Sequence, residues 1–379
     1  MSTVGSEIDP PHVAARRLRQ IIESRFADGL EQARMPAAPG PGAEAEALRE
    51  AYLGLLKLAL CDLVGTTTTS VERAVGGAVM SRELAGDDLR FRAAGLDWPL
   101  HGLSMVGLAR LDDLQRCVDT VVADGIAGDL IECGSWRGGA AMLMRATLDS
   151  LGASERSVFA ADSFQGFPAA QAGEGYNLDA DLAGVGFLAV PLEEVRASFQ
   201  RLGLERGVTF VPGFFADTLP TLRGHPWALA RLDGDSYDAT RSALDAVYSS
   251  LAVGGYLVID DFYPLDDCRR AVEDFRAEHG ITEPIEAVDW NAARWRRASA
   301  AGPPSVPETA GTVPEPVARP VQEPTRVPTT EEVALRYELS LVRDRLAAAE
   351  QEITRLTGAP LAGTKEWLKR RLRNIEAAR

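Results

Sequence analysis

The chain has 379 residues, of which 46% are hydrophobic and 25% are charged, and its formal net charge is -15. This composition predicts a water-soluble chain able to bury one full-sized core, and the acidic balance argues against nucleic acid as a partner because phosphate backbones require basic surface. Since the chain lacks both an apolar run of roughly twenty residues and a secretory signal, we expect a cytoplasmic protein.

The first 43 residues are predicted to form a flexible N-terminal arm. They end in the breaker-rich run MPAAPGPG at residues 35–42, which is typical of a connection without stable structure. One domain is predicted from residue 44 to residue 300. It begins with a helix over residues 44–63, which is expected to cover the core with an apolar face formed by Leu48, Tyr52, Leu55, Leu56, Ala59 and Leu63.

Short apolar runs alternate with helix-length segments between residues 111 and 297. This alternation predicts an α/β fold with a mostly parallel, doubly wound sheet covered by helices on both faces. The predicted strands are residues 128–133, 158–161, 208–211, 228–232, 256–259 and 285–290. The predicted helices are residues 140–151, 192–201, 239–251 and 268–279.

The chain changes character after residue 300. Eight prolines between Ala301 and Pro328 predict a semi-extended linker over residues 301–328. In residues 329–357 apolar positions step alternately by four and three, which predicts a coiled-coil helix and through it a homo-oligomer; a single amphipathic helix lying on the domain is the alternative. Residues 358–379 form a basic amphipathic tail, which suits either a weak contact with acidic lipid or an acidic partner, or a solvated end.

A glycine-bearing turn follows the first predicted strand, in the motif LIECGSWRGG at residues 130–139. Gly134 and Gly138 are separated by three residues, so the spacing differs from the G-x-G-x-x-G of dinucleotide sites. With Glu132, these glycines form the pattern that a methionine-derived cofactor requires, namely a carboxylate near its cationic amino-acid portion and a backbone that it can approach closely. One strand later, Asp162 stands where nucleotide-binding sheets place the acceptor for ribose hydroxyls. Each motif alone also fits tight packing, but together they predict a nucleoside-type cofactor.

Two pairs of acids follow two later strands. They are Asp233 with Asp235, and Asp260 with Asp261. If those strands are neighbours in a parallel sheet, four carboxylates converge at one edge. Such carboxylates repel each other unless a cation lies among them, and an all-oxygen set suits Mg²⁺. Any one acid could instead cap a helix, but the group predicts a metal-assisted enzyme in which three acids bind the metal and the fourth acts as a base.

At these residues the chain resembles the macrocin O-methyltransferase family, whose members use a metal ion and S-adenosylmethionine to methylate deoxysugar hydroxyls in macrolide and aminocoumarin biosynthesis. The resemblance covers roughly residues 48–297. It rests on motifs in the same order, which are DWPLHGLSMVGLARLD at 97–112, LIECGSWRGG at 130–139, ADSFQGFP at 161–168, RLDGDSY at 231–237, GGYLVIDD at 254–261 and FRAEHGI at 275–281.

The resemblance implies the Rossmann-like fold of class I methyltransferases, and it implies a role for individual residues. Asp233, Asp260 and Asp261 are expected to hold Mg²⁺, and Asp235 is expected to be the general base. The residues expected to contact S-adenosylmethionine are Ser104, Met105, Glu132, Gly134, Ser135, Gly138, Asp162, Ser163 and Asp217. The acceptor is expected to be a sugar-bearing small molecule or a glycan. The linker, coiled coil and tail lie outside the resemblance and inherit nothing from it.

Two other functions stay open at this point. A catechol-type metal-dependent O-methyltransferase would act on a phenolic acceptor with a similar set of acids, and a panel of acceptors separates it from a sugar methyltransferase. A non-catalytic scaffold, serving the coiled coil, would not bind S-adenosylmethionine, and titration with the cofactor tests it. In the enzymatic reading, a sugar hydroxyl is a poor nucleophile near neutral pH, so the protein has to position and deprotonate it.

Overall fold

The computed structural model describes residues 44–73, 79–168, 182 and 185–298. The predicted arm, linker, coiled coil and tail lie outside these residues. Within the described ranges, no helix is long and apolar enough to cross a membrane. The described residues divide into two compact units: unit 1 contains those up to Gly125, together with Ser135–Ala160 and those within Val190–Phe210, and unit 2 contains Ile126–Gly134, those within Ala161–Ala189 and those from Val211 onwards.

Unit 1 combines helices with a small antiparallel sheet. The helices are α1 at Ala45–Leu60, α2 at Leu89–Ala93, α3 at Leu108–Ala123, α4 at Gly139–Ser150 and α5 at Leu192–Leu202. The sheet has the order β2-β1-β3, with β1 at Thr67–Arg73, β2 at Val79–Ala85 and β3 at Trp98–Pro99. This sheet was not predicted, because β1 has the sequence TTTSVER, which contains no apolar run.

The buried face of α1 differs from the predicted one. Its buried residues are Leu53, Leu56 and Leu60. Of the six residues predicted to cover the core only Leu56 is buried, and Leu48, Tyr52 and Leu55 are 54%, 46% and 51% exposed. The prediction was wrong because apolar residues occupy more than one side of this helix, so their spacing alone does not identify the side that packs.

The larger sheet has the strand order β6-β5-β4-β7-β8-β10-β9. Its strands are β4 at Asp129–Cys133, β5 at Val158–Asp162, β6 at Val208–Pro212, β7 at Trp227–Leu232, β8 at Leu251–Ile259, β9 at Glu286–Ala287 and β10 at Ala293–Arg296. Strands β4, β7 and β8 pair in parallel, whereas β10 runs antiparallel to β8. A mixed, mostly parallel sheet with helices confirms the predicted fold class.

The helices that the structure describes with both ends in unit 2 include α6 at Phe215–Thr218, α7 at Tyr237–Val247 and α8 at Asp266–Glu278. The end of α7 was predicted too late, because a 3-10 turn occupies Tyr248–Ser250 and β8 begins at Leu251. The single strand predicted at residues 285–290 is also wrong: β9 is two residues long and a turn separates it from β10. Strand β7 is buried over its whole length, as expected of a central parallel strand covered on both faces.

Candidate active site

The register of β7 and β8 brings the two acidic pairs to one edge of the sheet in unit 2. Leu232 and Ile259, the last residues of these strands, are partners in the parallel ladder. The Asp260 N–H donates to the carbonyl oxygen of Leu232 at 2.9 Å. Asp233 and Asp260 therefore leave neighbouring strands at the same level, which is the carboxyl edge where open α/β sheets bind ligands.

Three carboxylates at this edge form a tight cluster. Asp233, Asp235 and Asp261 each offer one oxygen, and these oxygens lie within 4.8 Å of one another. Burial, reinforced by Asp260, raises the pKa of Asp233, while burial and the neighbouring Asp235 raise the pKa of Asp261. The buried Oδ2 of Asp261 accepts no hydrogen bond from the described residues. A buried oxygen without a donor, among carboxylates that repel each other, fits a hard divalent cation.

Asp260 contacts an arginine instead of belonging to this cluster. Its Oδ1 lies 2.7 Å from Nη2 of Arg231, whose side chain is 3% exposed. Among the residues that the structure describes, neither of these two atoms has an aligned hydrogen-bond partner, so the contact is an ion pair. The predicted set of three ligands thus differs from the observed cluster, in which Asp235 stands in the place of Asp260.

Arg231 connects the acids of three strands. Its Nη1 donates to Oε1 of Glu132 at 2.8 Å and to Oδ2 of Asp233 at 2.9 Å, in addition to the ion pair with Asp260. Burial opposes the charge of Arg231, but the three carboxylates outweigh burial and raise the pKa of the guanidinium. Arg231 was not among the predicted site residues, although a charged residue inside the otherwise apolar β7 is a signal visible in the sequence.

Asp235 has an unusual backbone conformation. Its φ of 55° lies in the left-handed region, which few residues other than glycine adopt and which aspartate and asparagine tolerate best. The next residue, Ser236, is the N-cap of α7, and its hydroxyl accepts a hydrogen bond from the N–H of Ala239. This turn from β7 into α7 keeps Asp235 in one cluster with Asp233, two residues earlier.

Asn291 was also not predicted. It lies between β9 and β10, and its side-chain amide donates to the carbonyl oxygen of Asp260 at 3.1 Å and to Oδ1 of Asp261 at 3.0 Å. A single asparagine in a turn carries no signal of such a role, because the contact depends on β10 pairing with β8.

The glycine turn after β4 is shaped by contacts within the protein. Gly134 has a φ of 96°, and a Cβ atom there would lie 1.9 Å from the carbonyl oxygen of Asp233. The close backbone of Asp233 is therefore a sufficient reason for glycine at this position. The predicted close approach of a ligand would be a second reason. Glu132, two residues earlier, is 2% exposed and is held by Arg231.

The other predicted cofactor residues of unit 2 lie at the ends of β5 and β6. Oδ1 of Asp162 accepts a hydrogen bond from the N–H of Phe164 at 2.8 Å, and the Ser163 hydroxyl donates to the carbonyl oxygen of Gly166 at 2.6 Å. These bonds fix a turn directly after β5. Asp217 lies exposed in the short helix α6.

Unit 1 holds the remaining predicted cofactor residues, Ser104, Met105, Ser135 and Gly138. Ser104 is 3% exposed, and its N–H donates to the carbonyl oxygen of Leu60 at 3.0 Å. Ser135 is 5% exposed, whereas Met105 is partly exposed. Gly138 is the N-cap of α4 with a φ of 85°, and a Cβ atom there would lie 2.6 Å from the ring of Phe199. Its glycine is therefore explained by packing within unit 1.

Comparison with known proteins identifies the family. The model of the macrocin-O-methyltransferase (TylF) family matches residues 63–297. The 8-demethyl-8-(2,3-dimethoxy-alpha-L-rhamnosyl)-tetracenomycin-C 4'-O-methyltransferase of Streptomyces olivaceus is 43% identical over 67% of this chain and 95% of its own length. The mycinamicin III 3''-O-methyltransferase of Micromonospora griseorubida is 37% identical over 66% of this chain and 97% of its own. The solved structure of the O-methyltransferase NovP is 34% identical, covers 66% of this chain and 100% of its own, and superposes with a TM-score of 0.57. The chain therefore belongs to the macrocin-O-methyltransferase family and is an O-methyltransferase with the Rossmann-like fold of these enzymes.

Proposed function

We propose that this enzyme transfers the methyl group of S-adenosylmethionine to a hydroxyl of a sugar carried by a natural product, with Mg²⁺ held by Asp233, Asp260 and Asp261. The observation that carries the proposal is the group of carboxylates at the ends of β7 and β8. The names of two relatives support the acceptor class, since one is named for a rhamnosyl-tetracenomycin and the other for mycinamicin III.

The three proposed ligands leave neighbouring strands at one edge of the sheet, and all offer oxygen atoms. The ion pair of Asp260 with Arg231 is compatible with a ligand role, because ligating carboxylates commonly have outer partners that orient them. When bound there, Mg²⁺ supplies a Lewis acid that lowers the pKa of a coordinated hydroxyl.

Asp235 is the proposed general base. Its place beside Asp233 and Asp261 supports this role, because a general base has to lie near the hydroxyl that would be held at the cation site. The acceptor oxygen forms a bond to the methyl carbon while the bond from that carbon to sulfur breaks. The electron pair of the broken bond stays on sulfur, giving S-adenosylhomocysteine, and the hydroxyl proton moves to a carboxylate oxygen of Asp235.

The proposed cofactor contacts remain those implied by the family, which are Glu132, Gly134, Asp162, Ser163, Asp217, Ser104, Met105, Ser135 and Gly138. Glu132, Asp162 and Ser163 already make hydrogen bonds within unit 2, and this supports their proposed role in contacting the cofactor. Such preorganised groups lose little conformational entropy when a ligand binds.

The test is an acceptor panel. The purified enzyme is incubated with S-adenosylmethionine, Mg²⁺ and glycosylated natural products, each beside its own aglycone, with simple catechols as a third group. We expect mass spectrometry to detect one added methyl group on glycosides only, in the sugar fragment. Methylation of catechols or aglycones alone would overturn the acceptor class. Full turnover after removal of divalent ions with EDTA would overturn the cation part.

A further inference from the structure

Asn291 is a buried amide that contacts both acids at the end of β8, and the function proposed above gives it no role. Its Nδ2 lies 3.1 Å from the carbonyl oxygen of Asp260, 3.0 Å from Oδ1 of Asp261 and 3.4 Å from Oδ2 of Asp260. The residue is 4% exposed. The amide nitrogen of this buried side chain therefore contacts both acids.

Asn291 holds the turn after β8 at both ends. While its side chain contacts Asp260 and Asp261, its own carbonyl oxygen accepts a hydrogen bond from the N–H of Tyr263 at 3.0 Å. One residue thus fixes the backbone of the turn over residues 260–263 and the orientation of the carboxylate of Asp261.

The position of Asn291 is itself fixed by the hairpin between β9 and β10. Oδ1 of Asp289 accepts hydrogen bonds from the N–H groups of Asn291 and Ala292, both at 2.8 Å. Ala293 then pairs with Ile259, the last residue of β8. These contacts involve only the protein, so the amide is in place before any ligand binds.

The bond to Asp261 distinguishes its two oxygens. Oδ1 accepts the hydrogen bond from Asn291, whereas the buried Oδ2 accepts none among the described residues. An amide can orient a carboxylate in this way without adding a charge. Because Asn291 bonds Oδ1, the Oδ2 atom of Asp261 is left to interact with a positively charged partner.

We propose that Asn291 is a positioning residue that orients Asp261 and the turn bearing Asp260 for binding of the divalent cation. The inference rests on the proposed function, because it presupposes the cation site. In this proposal, the hairpin of β9 and β10 contributes the residue that orients two of the proposed cation ligands.

The test uses Asn291→Leu, which keeps the shape of the side chain and removes its donors, and Asn291→Ala, which adds no bulk if the leucine variant fails to fold. Binding of Mn²⁺ is measured by electron paramagnetic resonance, and binding of S-adenosylhomocysteine by calorimetry as a check that the protein is folded. We expect the dissociation constant for Mn²⁺ to rise about 10- to 100-fold, as for other outer partners of metal ligands. Affinity for S-adenosylhomocysteine should stay unchanged, and kcat should recover at saturating Mn²⁺.

Glu286→Gln is the matched control on the same hairpin, since Glu286 is exposed and pairs with Arg294 rather than with the acidic turn. It should leave Mn²⁺ affinity unchanged. A folded Asn291 variant that binds Mn²⁺ as tightly as the natural enzyme would overturn the inference. If the natural enzyme itself binds no Mn²⁺, the proposed cation site fails instead, so the two failures are distinct.

Discussion

Oδ1 of Asp260 and Nη2 of Arg231 lie 2.7 Å apart, and both side chains are almost completely buried. The same guanidinium bonds Glu132 and Asp233, so one internal cation joins residues of β4, β7 and the end of β8. Removing one partner of a buried ion pair leaves an uncompensated charge in the interior, which costs about 3–5 kcal/mol.

Replacing Arg231 by methionine should therefore lower the free energy of unfolding by about 3–5 kcal/mol in cation-free buffer. Saturating Mg²⁺ should recover part of the loss, because it supplies positive charge to the same carboxylates. Denaturant unfolding with and without Mg²⁺ measures both effects. The control is Arg270→Met, since Arg270 is 60% exposed in its pair with Asp267 and should cost less than about 1 kcal/mol. Equal losses in the two variants would show that burial of the pair is unimportant.

Asp235→Asn should reduce kcat by about 10²–10⁴-fold while leaving the affinities for Mn²⁺ and S-adenosylhomocysteine near their natural values. Asparagine tolerates the left-handed backbone of residue 235, so the turn into α7 should persist. Single-turnover kinetics and Mn²⁺ titration measure the two properties separately. The comparison variant is Asp261→Asn, which should lose Mn²⁺ affinity. A loss of Mn²⁺ binding in Asp235→Asn would make Asp235 a ligand, as its place in the observed cluster allows.

The stability of the cation-free protein should fall as pH rises. The pKa values of Asp233 and Asp261 lie well above their ordinary value in the folded state, mainly because of burial. Between the unfolded and folded pKa values the folded protein binds more protons than the unfolded chain, so raising the pH favours unfolding. We expect Tm to fall as the pH rises above the ordinary pKa range of a carboxyl group, and Mg²⁺ to raise Tm more at higher pH, where protons no longer compete with it.

The variant carrying both Asp233→Asn and Asp261→Asn is the control for this pH dependence. Other groups also titrate, so the informative quantity is the difference in Tm between the natural enzyme and the double variant at each pH. That difference should change with pH in cation-free buffer. A constant difference would contradict the raised pKa values.

Gly134→Ala should disturb the acidic centre, because the added Cβ would lie 1.9 Å from the carbonyl oxygen of Asp233. Gly152→Ala is the matched control, since Gly152 also has a positive φ of 72° but no atom within 4 Å of the added Cβ. The control should cost only the left-handed strain, about 1–2 kcal/mol. Gly134→Ala should lose more stability and also weaken Mn²⁺ binding, as calorimetry and unfolding would measure. Similar losses in both variants would contradict the crowding argument.

Sequence reasoning located the strands that are fully buried and the acids that follow them. The largely apolar run of β7 and the pair Asp260 and Asp261 after β8 are visible without a structure, because central parallel strands covered on both faces keep few polar residues. It did not find β1, whose residues are largely polar, and it chose the wrong face of α1, where Leu55 is exposed and Leu53 is buried.

The residues that contact and orient the acids could not be predicted from the sequence, for a different reason. Arg231 and Asn291 act on acids that are distant in sequence, and only strand pairing brings them together. The same holds for Gly134, where the close neighbour is the backbone of Asp233. Residue type and spacing identify groups that perform chemistry more readily than groups that orient them.

The left-handed backbone of Asp235 restricts how this position can change during evolution. Side chains other than aspartate, asparagine and glycine are strained at a φ of 55°, so most substitutions would deform the turn as well as remove the carboxylate. With Asp235 as the proposed general base, Asp235→Asn is therefore the conservative change expected to remove methyl transfer and keep the turn. A relative that carries asparagine here, with Asp233 and Asp261 retained, is expected to be a binding protein that has lost methyl transfer.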